Sequence, residues 1–327
     1  MSGGYAQALT MHNGRTVWNA VNDKMISGNG NRSGFLAQAP CDACNPCDAA
    51  CGSSSLARNA WVNYIGRSDQ YASNWAGHNR NNWKLSSEGV QAGTDLYRTK
   101  NTQFGILFGY DDARMRNTGD RVQMDDVYGG FYAARVFRNG ADARIIFAYG
   151  NQDYDLTRYH RGVRNTASFD GYTTETNFEL GKRFVNGAWS VRPVIALDVY
   201  NNNLKGATES SGIVYDKTSL TQASVRFGTD LRYHVRNFAF NSGLYYSYDM
   251  HDQVLRANVT GMTGGGPITL PLYGSKIGRE LLSFNLGADY QISRNFSVFG
   301  GYQGEYVPDR DNSQVQSVGY VGAGWKW

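Results

Sequence analysis

Four cysteines stand close together in the segment CDACNPCDAAC, as Cys41, Cys44, Cys47 and Cys51. Their spacing is that of the thiolate ligands of bacterial ferredoxins, and cysteine clusters also hold zinc. Here glycine follows the last cysteine where those proteins have proline, and the chain has 4 cysteines in all, too few for a second cluster. In an oxidising environment, an even number of closely spaced cysteines is typical of disulfides. We therefore expect two local disulfide bonds in one of three pairings, with a metal site and free thiols as the alternatives.

Other residues that could carry catalysis are scattered. The five histidines lie in unrelated segments, and no serine or cysteine stands in a nucleophile motif. Gly28-Asn29-Gly30 does not join a strand to a helix as a phosphate loop does. The net charge is +4 and the basic residues form no stripe along the chain, which argues against nucleic acid as a partner. The sequence thus predicts a protein that is not an enzyme and uses no cofactor.

The elements that would position any site are strands, because apolar and polar residues alternate over long stretches. In residues 221–233, Phe227 and Leu231 lie on an apolar face, and the opposite face carries polar and charged residues. Residues 189–199 and 282–290 repeat this design. No run approaches the roughly 18 apolar residues of a membrane helix. The predicted lining of the polar face is Asp95, Arg226, Asp230, Arg232 and Asp289.

Short turns and long connections alternate along the chain. Five short turns carry asparagines at 101, 139, 186, 237 and 295, a residue type that tolerates the left-handed conformation of tight hairpins. Polar loops are expected at about 72–86, 111–124, 151–173, 201–218, 249–279 and 307–314. Five turns and six loops predict twelve strands. Short turns at one end and long loops at the other favour a transmembrane β-barrel over a soluble β-sandwich.

Aromatic residues recur next to the short turns. Tyr97, Tyr233 and Tyr290 precede such turns, and Trp327 ends the chain at the same level. Membrane barrels carry aromatic girdles at both interfaces, so this recurrence favours a barrel. Residues 5–27 are predicted to form a helix of about 34 Å, long enough to traverse a pore. Its mostly small and polar residues suit a water-filled lumen.

The terminal alternation SVGYVGAGWKW, the strand ends GTDLY, GTDLR and GADYQ, and the predicted strand number resemble the autotransporter β-domain of type V secretion. The resemblance implies an all-β fold, a 12-stranded antiparallel transmembrane β-barrel with an N-terminal α-helix in the lumen. Residues 1–27 would be the linker helix threading the lumen, 28–57 the cysteine-containing loop and 58–327 the barrel. The expected function is to export and anchor an N-terminal passenger, which would lie upstream of Met1, in the outer membrane of a Gram-negative bacterium.

The resemblance also implies partners. They are outer-membrane lipid and lipopolysaccharide, periplasmic chaperones, the protein's own passenger, and the barrel assembly machinery, while the barrel itself is expected to be a monomer. The assembly signal would lie in the terminal strand, at Tyr320, Val321, Ala323, Trp325 and Trp327. Residues 1–30 contain no apolar run of the signal-peptide type, so an export signal is expected outside this chain. The alternatives are a small outer-membrane pore and, with less support, an outer-membrane barrel hydrolase.

Overall fold

The structure is a computed structural model that describes residues 4–11, 59–73, 82–99, 101–251, 254–276, 278–308 and 312–327. A short helix α1 (Gly4–Gln7) continues into a 3-10 turn (Ala8–Thr10). The strands are β1 (Asn59–Ser73), β2 (Trp83–Arg98), β3 (Thr102–Arg116), β4 (Asp120–Val136), β5 (Ala141–His160), β6 (Val163–Lys182), β7 (Phe184–Asn186), β8 (Trp189–Leu204), β9 (Ala207–Thr208), β10 (Val214–Tyr215), β11 (Thr218–Val235), β12 (Phe238–Asp249), β13 (Val254–Thr263), β14 (Gly266–Lys276), β15 (Glu280–Gln291), β16 (Phe296–Pro308) and β17 (Asn312–Lys326).

Twelve of these strands form a closed antiparallel barrel in the order β1-β2-β3-β4-β5-β6-β8-β11-β12-β15-β16-β17. The barrel closes where β17 pairs with β1 along its whole length, from Asn59 opposite Lys326 to Ser73 opposite Asn312. Closure removes the free edges that would otherwise invite aggregation. The short β7 extends the turn before β8, and β9, β10, β13 and β14 form a separate four-stranded sheet. The predicted twelve-stranded antiparallel barrel is confirmed.

The barrel wall has an apolar outside and a polar inside because side chains alternate across a strand. On β11, Phe227 is 50% exposed on the outside, whereas the neighbouring Arg226 is 6% exposed on the inside. Interior glycines let aromatic rings lie flat on the wall: a Cβ at Gly105 would lie 2.6 Å from the Thr94 carbonyl oxygen and overlap the ring of Tyr132. These contacts favour a single register in which, along the apolar part of the exterior, the charged residues face inward.

Five tight turns lie at one end of the barrel, as predicted, and we call it the short-turn end. The role expected of their asparagines is wrong, since none of the five has a positive φ. Gly140 (φ 78°), Gly187 (φ 58°) and Arg236 (φ 53°) adopt the left-handed conformation instead. Asn139 contributes through its side chain, which accepts a 3.1 Å hydrogen bond from the backbone N–H of Ala141. Asn139 thus serves its turn through its side-chain acceptor.

The opposite, long-loop end differs from the prediction at four connections. The loops expected at 111–124 and 151–173 are mostly strand: β3 and β4 meet at a turn over residues 117–119, and β5 and β6 run 20 residues each to a turn at Arg161-Gly162. Their polar residues were mistaken for loop because these strands continue beyond the apolar exterior, where outward side chains face water. The connections over 205–217 and 250–279 carry the four-stranded sheet. Residues 74–81 and 309–311 lie outside the described residues.

Aromatic side chains gather on the outside next to the short-turn end. The ring of Trp189 lies 4.4 Å from that of Tyr233, and the ring of Phe238 lies 4.5 Å from that of Tyr290. Tyr97 is 54% exposed on the same side. Amphipathic rings of this kind prefer the boundary between hydrocarbon and water. This arrangement is the girdle expected of a membrane barrel.

Candidate functional site in the barrel interior

The N-terminal segment lies inside the long-loop end of the barrel. Residues 4–11 are all buried, and Tyr5, Leu9 and Met11 are at most 1% exposed. Tyr5 packs between Phe169 and Tyr215, with ring centroids 4.8 Å away on both sides. These residues join one apolar cluster with inward side chains of the wall and loops, which we call the apolar plug. An apolar interior at this end was not predicted, since the segment's composition had indicated a water-filled lumen.

Hydrogen bonds tie the N-terminal segment to the wall. The Gly4 backbone N–H donates to Asp120 over 3.2 Å, and the Asn202 side chain donates to the Leu9 carbonyl over 3.1 Å. The Tyr5 hydroxyl donates to the Lys205 carbonyl. Buried polar groups need such partners because burial without them is costly. The segment is therefore held by backbone and side-chain contacts as well as by apolar packing.

The four-stranded sheet closes over the same end. Its inward residues Leu255, Val259 and Leu272 belong to the apolar plug. Arg158 of β5 binds Glu209 of the connection through two hydrogen bonds of 2.8 and 2.6 Å, which fastens the sheet to the wall. Burial, with a contribution from Glu209, raises the pKa of Tyr215 to about 12, so its hydroxyl stays neutral within the plug. The loops and the N-terminal segment together occupy this end of the lumen, beside a polar pocket lined by Thr10, Arg67 and Asp249.

The short-turn half of the lumen is lined by charges, centred on Arg192. Its guanidinium donates to both oxygens of Asp142, with Nε at 2.9 Å, and to Glu179 at 2.6 Å. It also reaches Asp230 at 2.9 Å. Arg192, Asp142 and Glu179 are at most 1% exposed. The planar fork of arginine suits such multiple carboxylate contacts, so Arg192 links β5, β6, β8 and β11.

Opposite charges balance on this wall, and shared contacts link them into one network. Arg144 contacts Asp142 at 3.2 Å and Glu179 at 3.5 Å, while Arg226 reaches Glu179 at 3.4 Å. Buried charges are tolerated when they are paired and hydrogen-bonded. The described members are Arg144, Arg183, Arg192, Arg226, Arg232, Asp142, Glu179, Asp198, Asp230 and Asp289. With as many arginines as carboxylates, the wall presents no net charge to the lumen.

A second polar cluster on the opposite wall surrounds Asp95. Its carboxylate accepts hydrogen bonds from Gln103 at 2.7 Å, Tyr132 at 2.8 Å and Arg98 at 2.9 Å. The backbone N–H of Asn59, where β1 begins, donates to it at 3.2 Å. Asp95 therefore links the four strands β1, β2, β3 and β4 at the short-turn end.

The structure brings four of the five predicted lining residues onto one wall and leaves Asp95 on the other. Arg226 and Asp230 belong to the network around Arg192, and Arg232 lies 3.7 Å from Asp289. Sequence reasoning missed Asp142, Arg144, Glu179 and Arg192. Arg192 was detectable, because it lies between outward residues of the alternating stretch 189–199.

The terminal strand β17 has the outward face expected from its sequence. Val321, Trp325 and Trp327 are 59%, 43% and 61% exposed, and Ala323 lies on the same face. Tyr320 lies on the interior face, with its ring 6.5 Å from that of Phe299. Trp325 packs on Phe296 of β16 with ring centroids 5.6 Å apart. Strand β17 therefore ends in aromatic residues at the short-turn end of the barrel.

The cysteine segment and its expected disulfides lie outside the described residues, as do His12 and His78. The other histidines, His160, His234 and His251, lie on separate connections or strands. Within the described part of the chain, no group of three histidine, cysteine or carboxylate side chains could hold a metal ion. In that same part, no helix has the length and apolar character needed to cross a membrane.

Comparison with known proteins agrees with this architecture. The family model of the autotransporter beta-domain matches residues 60–303. Among curated proteins, the immunoglobulin A1 protease autotransporter of Haemophilus influenzae is 24% identical over 210 residues, which cover 62% of this chain. The chain spans only 10% of that relative's length.

Solved structures show the same fold. The translocator domain of NalP from Neisseria meningitidis superposes with a TM-score of 0.65 at 12% identity, over 82% of this chain and 89% of that one. The β-domain of BrkA from Bordetella gives 0.59 at 16% identity, over 83% and 100%. The transport unit of AIDA-I from Escherichia coli gives 0.58 at 14% identity, over 92% and 97%.

A closed barrel with an apolar outside, a charged lumen and an N-terminal segment inside defines an outer-membrane translocator domain. The chain belongs to the autotransporter β-domain family, whose members are transport barrels of the bacterial outer membrane. The matched family is not an enzyme family.

Proposed function

We propose that this barrel exports and then anchors a passenger joined ahead of residue 4, with the connecting chain running through the lumen. The observation that carries the proposal is the position of the two ends of this connection. Residues 4–11 are packed in the apolar plug at the long-loop end, whereas β1 begins at Asn59 at the short-turn end. The chain between them has to pass from one end of the barrel to the other.

The lumen is the supported route for this connection. In outer-membrane barrels the short turns face the periplasm and the long loops face outward. A passenger preceding residue 4 would then emerge on the cell surface while the barrel remains in the membrane. Residues 1–27 act as the linker, residues 28–57 as the cysteine-containing loop and residues 58–327 as the barrel. The charge-balanced wall around Arg192 supports passage, because it offers polar contacts without a net attraction for either sign of charge.

The partners follow from this role. The protein acts as a monomeric barrel in contact with outer-membrane lipid and lipopolysaccharide. Periplasmic chaperones and the barrel assembly machinery deliver it, and the machinery reads the outward face of β17. The exposure of Val321, Trp325 and Trp327 supports this reading, since a recognition signal has to be accessible before the barrel closes.

The test uses an epitope tag ahead of Met1 and two control insertions in an otherwise wild-type barrel. One control tag stands in the β5–β6 turn at Arg161-Gly162 and the other in the β4–β5 turn at Asn139-Gly140. We expect antibody to reach the N-terminal tag and the β5–β6 tag on intact cells. The β4–β5 tag should be reached only after the outer membrane is permeabilised.

The contrary result is also defined. An N-terminal tag that needs permeabilisation, in cells where the two controls behave as expected, would rule out the proposed direction of export. If the function were that of a small pore, the full chain would show high conductance in planar bilayers. The apolar plug argues against high conductance. A variant without residues 1–11, whose lumen is expected to be open, provides the comparison.

A further inference from the structure

Five carboxylates stand side by side on the outside of the wall formed by β2 to β6, and we call them the acidic row. The strand register places Glu88 opposite Asp112, Asp112 opposite Asp125, Asp125 opposite Asp153, and Asp153 opposite Asp170. On four of these strands the preceding outward residue, toward the short turns, is apolar or aromatic: Val90, Tyr110, Val127 and Tyr172. The acidic row therefore lies where the apolar exterior ends.

Beyond the acidic row the outside becomes basic. Lys84 stands opposite Arg116, and Arg116 stands opposite Arg121. Asp155 is the single acid among the described outward residues of this region, and it accepts a 2.6 Å hydrogen bond from Ser168. The exposed cations, which we call the basic patch, are Lys84, Arg114, Arg116, Arg121, Arg161 and Arg164. They come from three hairpins, so the sequence shows no basic stripe.

Among the described residues, the basic patch has too few acids beside it to neutralise its charge. Arg114 pairs with Asp112 of the acidic row at 3.2 Å, but Lys84, Arg116 and Arg121 form no ion pair within the described part of the chain. Like charges directly opposite on neighbouring strands destabilise a sheet. Bound anions relieve this repulsion. Charge complementarity thus points to an anionic occupant along the outer surface of the barrel.

The positions of the acidic row and the basic patch along the strands determine where the anionic groups of a bound molecule would lie. Arg116 and Arg121 stand four residues beyond Asp112 and Asp125 on the same strands. At about 3.3 Å per residue this is about 13 Å along the strand, or about 10 Å along the membrane normal at a tilt near 40°. A phospholipid carries its phosphate at the level of the acidic row, where Glu88, Asp125 and Asp153 repel it, while Asp112 and Asp170 are paired with Arg114 and Lys205. A glycolipid with anionic groups on its saccharide carries them at the level of the basic patch.

We propose that the basic patch is a binding site for the phosphate or carboxylate groups on the saccharide of an outer-leaflet glycolipid, and that the acidic row excludes phospholipids. The inference rests on the proposed orientation, with the long loops outward. It assigns one wall, β2 to β6, as the side on which ordered glycolipid is held. The protruding β3–β4 and β5–β6 hairpins form the scaffold of the site.

The test measures lipid binding to the purified full chain in detergent by native mass spectrometry. The probes are lipopolysaccharide with a phosphorylated core, the same lipopolysaccharide without core phosphate, and phosphatidylglycerol. The variant Arg116→Gln with Arg121→Gln is compared with Arg135→Gln plus Arg138→Gln, two exposed arginines at the short-turn end. At about a fivefold effect per surface cation, we expect the first pair to weaken binding of the phosphorylated lipopolysaccharide roughly 30-fold. The second pair should leave it unchanged.

The acidic row is tested by Asp125→Asn with Asp153→Asn, which should raise binding of phosphatidylglycerol. Equal binding of all three lipids by the wild type would overturn the proposal, as would equal losses in both arginine pairs. Inorganic polyphosphate that competes as well as the glycolipid would assign the patch to soluble polyanions instead. All variants should keep the heat-dependent gel shift of a folded barrel and display the N-terminal tag. A wild-type barrel that displays the N-terminal tag but binds the three lipids equally would refute this inference and leave the proposed export function standing.

Discussion

Replacement of Arg192 by methionine is the most direct test of the charged lumen. The substitution removes the cation that binds Asp142, Glu179 and Asp230 while it keeps an unbranched side chain of similar length. Arg144 still contacts Asp142 and Glu179, and Arg226 still reaches Glu179, so both carboxylates retain at least one partner. Asp230, 23% exposed, keeps its contact with Tyr245. The variant is therefore expected to fold, with fewer partners for its buried acids.

The magnitude follows from burial. Breaking a buried ion pair by removing one partner costs about 3–5 kcal/mol, because an uncompensated charge remains. An exposed pair is worth about 0–1 kcal/mol. Arg114 and Asp112 supply the exposed control, with side chains 60% and 32% exposed. We expect Arg192→Met to lower the free energy of unfolding by about 3–5 kcal/mol and Arg114→Met to lower it by at most about 1 kcal/mol.

The assay is reversible urea unfolding of barrels refolded into lipid vesicles, followed by tryptophan fluorescence and by the gel shift. Arg192→Met combined with Glu179→Gln should recover part of the loss, since it removes one of the stranded acids. Equal destabilisation by Arg192→Met and Arg114→Met would mean that water solvates the network. That result would refute the reasoning that these charges are buried and mutually dependent.

Three further outcomes are expected. Gly105→Ala should destabilise the barrel by about 1–3 kcal/mol through overlap with Tyr132, whereas Gly319→Ala, with no atom within 4 Å of the added Cβ, should not in the same urea assay; equal effects would contradict this packing. Tyr5→Ala should raise single-channel conductance in planar bilayers, because it removes a fully buried ring from the apolar plug, and wild-type conductance would show that other residues seal the lumen. Trp327→Asp should lower the amount of folded barrel in the membrane far more than the stability of barrel refolded in detergent, and normal membrane levels would limit this tryptophan to a girdle role.

The alternation of side chains carried most of the fold prediction, since period two follows from strand geometry alone. It assigned Phe227 to the outside and Arg226 to the inside, which matches the exposures in the structure. The short turns were also predictable, although the left-handed positions were occupied by glycine and arginine. Both signals are local, and local signals can be read from sequence.

The partners of the interior charges were not predictable from sequence. Arg192 and Asp142 are 50 residues apart, and they meet because β5, β6 and β8 are neighbours in a closed barrel. The apolar plug was missed for the same reason, since Tyr5 meets Phe169 and Tyr215 only after the barrel has formed. Such contacts depend on register and closure, which a single strand's pattern does not contain.

Polar residues occur along a strand for two different reasons in this protein. Because the two were not distinguished, loops were wrongly predicted at 111–124 and 151–173. Inward polarity, as at Arg192, marks a lumen in which charges pair. Outward polarity, as at Asp125 and Asp153, marks the part of a strand beyond the hydrocarbon. The two can be distinguished by which alternate positions of the strand are polar. Within the membrane, a polar inward residue has apolar outward residues on both sides in sequence. Beyond the membrane the outward residues are polar, and the inward residues, such as Met124 and Leu156, are apolar. This exchange of faces on β4 and β5 is the sequence signature of a strand that leaves the membrane and packs on a plug.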